Sequence, residues 1–219
     1  MLTEKLTDLK KDLVEYAALV EAMVEDGIQG LLQKDADKLQ NILSKYEPRA
    51  NLKDIELDEK CIALIAQYQP KAKDLRTILM VLEINRDLER MGDHAVNVAQ
   101  SALYLIERPN VKPLLDIPRM SGIVNGMLRD SINAFTQEDS LLAKNVCERD
   151  DQVDELRGQI LRELITYMSA DVSTIERALH IIRISGNLER IADLTTNIGE
   201  EVIFMVEGRV LKHHQEERK

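Results

Sequence analysis

The chain has few of the residues that irregular and β-rich folds require. Its 219 residues include only nine glycines, five prolines and no tryptophan, and this scarcity favours long helices over a turn-rich fold. The two cysteines, Cys61 and Cys147, are too far apart for a cysteine metal motif and are typical of a reduced intracellular protein. Apolar runs such as 202–206 are far shorter than the roughly 18 residues that cross a membrane.

Basic charge and aromatic rings are also scarce. Lysine and arginine number 29 against 39 acidic residues, the net charge is −10, and 3% of residues are aromatic. Nucleic-acid binders are usually basic and stack aromatic rings on bases, so we expect no nucleic-acid partner. Residues 1–8 carry acids where a signal peptide would be apolar. We therefore expect a cytoplasmic protein without a membrane span, reaching the inner face of the membrane only through partners.

Apolar side chains recur at helical spacing along nearly the whole chain. One stripe consists of Leu6, Leu9, Leu13, Tyr16, Val20, Met23 and Val24, and another of Ile78, Val81, Leu82, Ile84, Leu88, Met91, Ala95 and Val98. Residues 35–37 are expected to interrupt or kink the first helical stretch. Glu47-Pro48 is typical of a helix start, because proline is tolerated in the first turn. Gln69-Pro70 predicts a tight turn, and no segment predicts a strand.

The helical pattern is repeated in the second half of the chain. Residues 79–98 and 179–198 share seven identities in twenty at an offset of 100, which indicates a tandem duplication. Each half has the length for three long helices with short, antiparallel connections. The sequence thus predicts an all-α fold of six long helices, a tandem duplication of a three-helix bundle. The predicted units are a first repeat 1–108, a linker 109–118, a second repeat 119–208 and a polar tail 209–219.

Oxygen-bearing side chains form four pairs spaced four residues apart, so that each pair shares a helix face. The pairs are Glu47/Asn51, Glu89/Asp93, Asp150/Asp154 and Glu189/Asp193, and Asn97 and Asn197 extend the second and the fourth by one turn. A single pair is most simply a solvated helix face or a helix N-terminus. In that interpretation Arg90 and Arg190 neutralise Asp93 and Asp193, three residues further along.

The distances of these pairs from the predicted turns favour metal binding. In each half, both pairs lie about 20 residues from a turn, at Pro70 or near 170–171, so antiparallel helices bring them to the same height. Like charges four residues apart cost roughly 0.2–0.5 kcal/mol on an exposed helix, and more in a groove of low dielectric. A bound cation offsets this repulsion, and oxygen-only ligands suit Mg²⁺, Mn²⁺, Ca²⁺ or ferric iron. We predict a site for divalent or trivalent metal ions in each half.

The sequence carries no signature of catalysis. Di-iron sites in helical bundles use Glu-x-x-His, but no histidine here has glutamate three residues before it. Neither a P-loop nor a dinucleotide fingerprint occurs. We therefore expect a protein that is not an enzyme. A carboxylate-bridged metalloenzyme, with oxidase or hydrolase chemistry, and a plain helical scaffold remain as alternatives.

Two matched motifs resemble a known family. Residues 88–93 (LERMGD) with Asn97, and residues 188–193 (LERIAD) with Asn197, are similar to the paired LERxxD…N motifs of the PhoU family. The resemblance extends over nearly the whole chain. It implies a duplicated three-helix bundle that binds metal ions, with iron the foremost candidate.

The resemblance also implies ligands and partners. The implied metal ligands are Glu47, Glu89, Asp93, Asp150, Asp154, Glu189 and Asp193. Because Asn51 departs from the acidic pattern, the first half is expected to bind metal more weakly or with fewer ions. The implied role is negative regulation of the phosphate-starvation response, through contact with a PhoR-like sensor histidine kinase and the ATPase subunit of the phosphate ABC transporter. Apolar helix edges predict a homodimer, and an accessory of a low-affinity phosphate transporter is the alternative within the family.

Overall fold

A computed structural model describes residues 2–207, and every regular element in that range is helical. The elements are α1 (Leu2–Gln33), α2 (Ala36–Asn41), a π-helical turn (Ile42–Tyr46), α3 (Glu47–Tyr68), α4 (Lys73–Ile106), α5 (Asp116–Gln137), α6 (Ser140–Glu148), α7 (Asp150–Ala170), a 3₁₀ turn (Val172–Thr174) and α8 (Ile175–Glu207). The π-helical turn joins α2 to α3, and α6 runs almost directly into α7. The result is six long helical segments, as the sequence predicts. The predicted tail 209–219 lies outside the described residues.

The six segments form two three-helix bundles that pack against each other. In the first half α1, α3 and α4 pack together, and in the second half α5, α7 and α8 do so with α6. The predicted duplicated all-α fold is therefore confirmed. The two bundles are not separate, because α4 also packs along α8 and α1 along α5. Their buried apolar side chains form one cluster that runs through both halves.

The first helix ends at the same kind of break in both halves. Lys34 adopts a φ of 54°, and the Asp35 carboxylate accepts a hydrogen bond from the Lys38 backbone amide at 2.9 Å. In the second half Glu138 has a φ of 56°, and Asp139 accepts from two backbone amides at the start of α6. An aspartate at this position satisfies amides that have no partner within the helix. The predicted interruption at 35–37 is confirmed.

The predicted helix start at Glu47-Pro48 is wrong in part. Although α3 begins at Glu47, the chain is already helical from Ala36 onward, so 36–46 belongs to the second long segment. The Glu47 amide donates to the Ile42 carbonyl, five residues earlier, which is π-helical pairing. A proline ring normally meets the carbonyl four residues before it. The wider turn before Pro48 relieves that conflict and lets the helix continue.

Two short turns build the hairpins that carry the acidic pairs. Gln69 ends α3 with a φ of 45°, and α4 begins at Lys73. In the second half α7 ends at Ala170, and the Asp171 carboxylate accepts from the Ser173 amide at 2.9 Å. Both turns stand where the sequence predicts them. They make α3 antiparallel to α4 and α7 antiparallel to α8.

The connection between the halves is held by polar contacts. The Lys112 side chain is buried, and its Nζ contacts the carboxylates of Asp116, at 2.9 Å, and Glu163. Arg177 on α8 donates to the Pro109 carbonyl at 2.8 Å. The segment between α4 and α5 is thus anchored on α7 and α8. None of the helices between residues 2 and 207 has a stretch apolar and long enough to cross a bilayer.

Candidate carboxylate grooves

The α3–α4 hairpin brings three carboxylates together in a groove, here called the first groove. It contains Asp54 from α3 and Glu89 and Asp93 from α4. Burial raises the pKa of the Glu89 carboxyl, and the negative charges of Asp93 and Asp54 raise it further, while Arg90 lowers it in part. Asp54 and Asp93 are therefore close enough to Glu89 to oppose its ionisation.

A buried asparagine holds Asp54 in this groove. The Asn85 side-chain amide, on α4, donates to the Asp54 carbonyl at 3.0 Å and to the Asp54 carboxylate at 2.7 Å. It also donates to the Asp58 carboxylate, one turn further along α3, at 3.1 Å. Burial and the charge of Asp58 raise the pKa of Asp54, and the Asn85 amide lowers it. These bonds fix the register of α3 on α4.

The phenol of Tyr16, on α1, lies beneath the first groove. The side chain is fully buried, with 0% exposure. Burial raises the pKa of Tyr16, and the nearby charges of Asp54, Glu89 and Asp93 raise it further. Among the described residues, its hydroxyl has no hydrogen-bond partner. A buried hydroxyl is rarely left unsatisfied, so this oxygen marks a place where a ligand or water belongs.

The predicted α3 pair does not include the α3 carboxylate that raises the pKa of Glu89. Glu47 is half-buried and Asn51 is exposed, and the α3 carboxylate that acts on Glu89 is that of Asp54. Sequence reasoning missed Asp54 because it considered only pairs four residues apart. The signal was present, since Asp54 follows Glu47 by two helical turns on the same face. Asn97, one turn beyond Asp93, is exposed.

The α7–α8 hairpin forms the second groove, which does bring the predicted residues together. Asp154 from α7 faces Glu189 and Asp193 from α8. Burial raises the pKa of Glu189, Arg157 and Arg190 lower it, and the charges of Asp193 and Asp154 raise it. The Arg157 guanidinium donates to the Glu189 carboxylate at 2.9 Å. This groove therefore contains an internal cation.

Asp150 and Asn197 extend the second groove toward α4. Together with Asp193 they line a cleft that also contains the guanidinium groups of Arg90 and Arg190. Arg190 pairs with Asp193 at 3.1 Å, as the sequence predicts. The corresponding prediction for Arg90 is wrong, because Arg90 lies 3.6 Å from Asp87 instead of pairing with Asp93. Asp87 precedes Arg90 by one turn and competes successfully for it.

The donor atoms determine how well each groove suits a metal ion. Between residues 2 and 207, no three histidine, cysteine or acidic side chains converge on one position that could hold a metal ion. A bound ion would therefore have to draw carboxylates toward it. In the first groove the donors are carboxylate and phenol oxygens, which fit a hard cation. In the second groove, the Glu189 carboxylate is already hydrogen-bonded to the Arg157 guanidinium, which competes with a metal ion for it.

The amino-acid sequence of the chain is similar to that of a known protein family. A family model described as the PhoU domain matches residues 13–102 and 117–202. A protein of Aquifex aeolicus, named phosphate-specific transport system accessory protein PhoU homolog, is 39% identical over 212 residues, covering 97% of this chain and 96% of its own length. A protein of the same name from Caulobacter vibrioides is 37% identical and covers 95% of this chain and 90% of itself. These names describe accessory proteins and no enzymatic activity.

Solved structures agree with the sequence relatives. The crystal structure of PhoU from Pseudomonas aeruginosa matches with a TM-score of 0.90 and 34% identity, covering 95% of this chain and all of that one. The phosphate transport system regulatory protein PhoU from Streptococcus pneumoniae matches with a TM-score of 0.89 and 25% identity, over 97% of this chain and all of its own. The match extends over both bundles and both grooves.

Proposed function

The chain belongs to the PhoU family, and we propose that it is an accessory protein of phosphate-specific transport that represses the phosphate-starvation response when phosphate is plentiful. Family membership over both repeats is the observation that carries this proposal. In it, the protein is a cytoplasmic adaptor at the inner face of the membrane. It contacts a PhoR-like sensor histidine kinase and the ATPase subunit of the phosphate ABC transporter.

Exposed apolar side chains support action by protein contact. Leu52, Ile55 and Ile62 stand on the outer face of α3 with 56%, 54% and 63% exposure. Ile165 on α7, which corresponds to Ile62 in the repeat, is 50% exposed. Neighbouring exposed apolar side chains mark interaction surfaces. This face suits a partner or a second copy of the chain, and the net charge of −10 favours partners with basic patches.

Metal binding by the grooves is part of the proposal. The repulsion that Asp54 and Asp93 exert on Glu89 in the first groove supports it, since a cation would relieve that repulsion. Asp150, Asp154, Glu189 and Asp193 supply the oxygens of the second groove. Iron is the foremost candidate by family resemblance, and Mg²⁺, Mn²⁺ and Ca²⁺ share the preference for oxygen ligands.

Deletion of the gene tests the regulatory role. In phosphate-rich medium, a phosphatase reporter of the starvation response should be derepressed in the deletion strain and repressed again by the wild-type gene. Unchanged reporter expression would contradict the proposal. If only low-affinity phosphate uptake changed, the protein would instead be an accessory of that transporter.

A pull-down tests the contact surface. Ile62→Glu should weaken capture of the cytoplasmic part of the kinase or of the ATPase subunit, because it places charge in the apolar face of α3. Leu141→Glu is the matched control, since Leu141 is 77% exposed on α6, away from that face. Equal capture by both variants would exclude the α3 face. Light scattering of the two variants tests the homodimer in the same preparations.

A further inference from the structure

The two grooves differ at one corresponding position of the repeat. The offset of 103 that relates Glu47 to Asp150 also relates Asp54 to Arg157. The structure supports this match. The charge of Asp54 raises the pKa of Glu89, and Arg157 donates a hydrogen bond to the Glu189 carboxylate. Glu89 and Glu189 are equivalent in the repeat. The residue near Glu89 is therefore negative, whereas the corresponding residue near Glu189 is positive.

A second exchange concerns the position of the repeat that Tyr16 occupies. The offset of 104 that relates the first helices of the two halves places Tyr16 opposite Met120, and both side chains are fully buried. The first half thus has a buried hydroxyl at this position of the repeat, and the second half has a buried thioether. A phenol oxygen is a ligand for hard cations or for their water, whereas a thioether prefers soft metals.

The charge balance of the two grooves differs accordingly. In the second groove Arg157 pairs with Glu189 at 2.9 Å and Arg190 pairs with Asp193 at 3.1 Å. In the first groove Arg90 pairs with Asp87 at 3.6 Å. Within residues 2–207 neither Glu89 nor Asp93 forms an ion pair. Two carboxylates of the second groove thus pair with arginines of the chain itself, whereas Glu89 and Asp93 in the first groove do not pair with any described residue.

We propose that the repeats have diverged, so that the first groove binds a divalent cation through Asp54, Glu89 and Asp93, and Arg157 takes the place of that cation in the second. The Tyr16 hydroxyl contacts the ion or its water from below. This inference rests on the metal-binding part of the proposed function and restricts the tightly bound cation to the first groove. It reverses the expectation from Asn51 that the first half is the weaker site.

Arg157 makes the second groove resist a cation without closing it. Its side chain is 47% exposed while that of Glu189 is 16% exposed, so the guanidinium covers the carboxylate from the solvent side. An incoming ion must displace the arginine before it reaches Glu189. Removing the guanidinium should therefore add a tightly bound cation in the second groove.

Titration of the metal-free, full-length protein with Mn²⁺ tests the inference, with free Mn²⁺ followed by electron paramagnetic resonance. Asp54→Asn should weaken the tightest Mn²⁺ binding at least tenfold, and Tyr16→Phe should weaken it several-fold. Asp154→Asn, the matched control in the second groove, should change it less than twofold. Arg157→Met should add tightly bound Mn²⁺ beyond the wild-type number. Circular dichroism of each variant reports whether its fold is retained.

Different results would overturn different statements. Equal weakening by Asp54→Asn and Asp154→Asn, or no added Mn²⁺ in Arg157→Met, would overturn the divergence of the repeats while leaving metal binding intact. No tight Mn²⁺ binding in the wild type would overturn both this inference and metal binding in the proposed function. The regulatory role would still stand or fall by the reporter experiment.

Discussion

At the scale of single residues, charges that leave water are the most sensitive points of the structure. Lys112 is a clear case, because its side chain is only 5% exposed and its Nζ lies between the carboxylates of Asp116 and Glu163. Removing one partner of a buried ion pair leaves the others without compensation. Such groups are decisive for stability because the chain has no disulfide to hold the linker.

Lys112→Met should therefore destabilise the protein. Methionine keeps the length and apolar stem of lysine but removes the charge, and we expect a loss of about 2 kcal/mol in the free energy of unfolding measured with urea. Lys73→Met is the matched control, because Lys73 pairs with Glu138 at the surface, with its side chain 69% exposed. The control should lose less than about 1 kcal/mol. Equal losses would show that burial of Lys112 has no special weight.

His180 should make stability depend on pH. Its ring stacks on Tyr104 at 3.9 Å between centroids. Burial lowers the pKa of His180, Arg183 and Arg108 lower it further, and Glu176 opposes them. Because the folded state then binds the proton less readily than the unfolded state, this contribution to stability is complete above about pH 6.5 and is lost as the pH falls below it.

Replacing His180 tests that dependence. His180→Phe keeps a flat ring on Tyr104 and removes the proton-binding group, so its melting temperature should fall less steeply between pH 7 and pH 5 than that of the wild type. Tyr104→Phe keeps the stack and the histidine, and its slope should match the wild type. A slope unchanged by His180→Phe would assign the acid sensitivity to other groups.

At the scale of helices, the first long helix of each half packs closely against the short helix that follows it. The two halves achieve this with different residues. A Cβ on Gly30 of α1 would lie 2.7 Å from the Leu39 side chain of α2. At the corresponding positions of the second half, at the offset of 104, stand Ala134 and Ala143, both buried. One half combines a glycine with a large side chain, and the other combines two small ones.

Gly30→Ala should destabilise the protein by about 1–3 kcal/mol, because the added methyl group overpacks against Leu39. The double variant Gly30→Ala/Leu39→Ala should lose less than the sum of the two single variants, since it recreates the pair of the second half. Urea denaturation measures all three. Gly122→Ala is the control: a Cβ there meets nothing within 4 Å, and the helix should gain about 0.5–1 kcal/mol. Additive losses would disprove the contact.

At the scale of the molecule, the continuous core predicts that the two bundles unfold together. Ile84 and Ile184 correspond in the repeat, are 1% and 0% exposed, and lie on the two helices that join the bundles. Ile84→Ala and Ile184→Ala should each lower the temperature of a single melting transition shared by both bundles. Each should reduce the free energy of unfolding by about 2–5 kcal/mol. Calorimetry distinguishes this from the alternative. Two separate transitions would show that the bundles fold independently, if each variant shifted only the transition of the bundle that contains its substitution.

Features that depend on neighbours along the chain could be predicted from the amino-acid sequence. Helical periodicity, the breaks at 35–37 and 69–70, and the duplication were readable because backbone hydrogen bonding and turn chemistry are local. The second groove was also predictable, since Asp154, Glu189 and Asp193 follow from spacing and one hairpin. The continuous segment 36–68 was not, because a widened turn before Pro48 overrides the usual preference of proline.

Which side chains face each other across three helices depends on the packing of the whole molecule and could not be predicted. Asp54 is the α3 carboxylate near Glu89, and Asn85 holds it there. Tyr16 reaches the same place from a helix far away in sequence. Arg157 lies on Glu189 for a similar reason. Such neighbours depend on the rotation and crossing of packed helices, to which every core side chain contributes, and no local pattern in the sequence records the sum of those contributions.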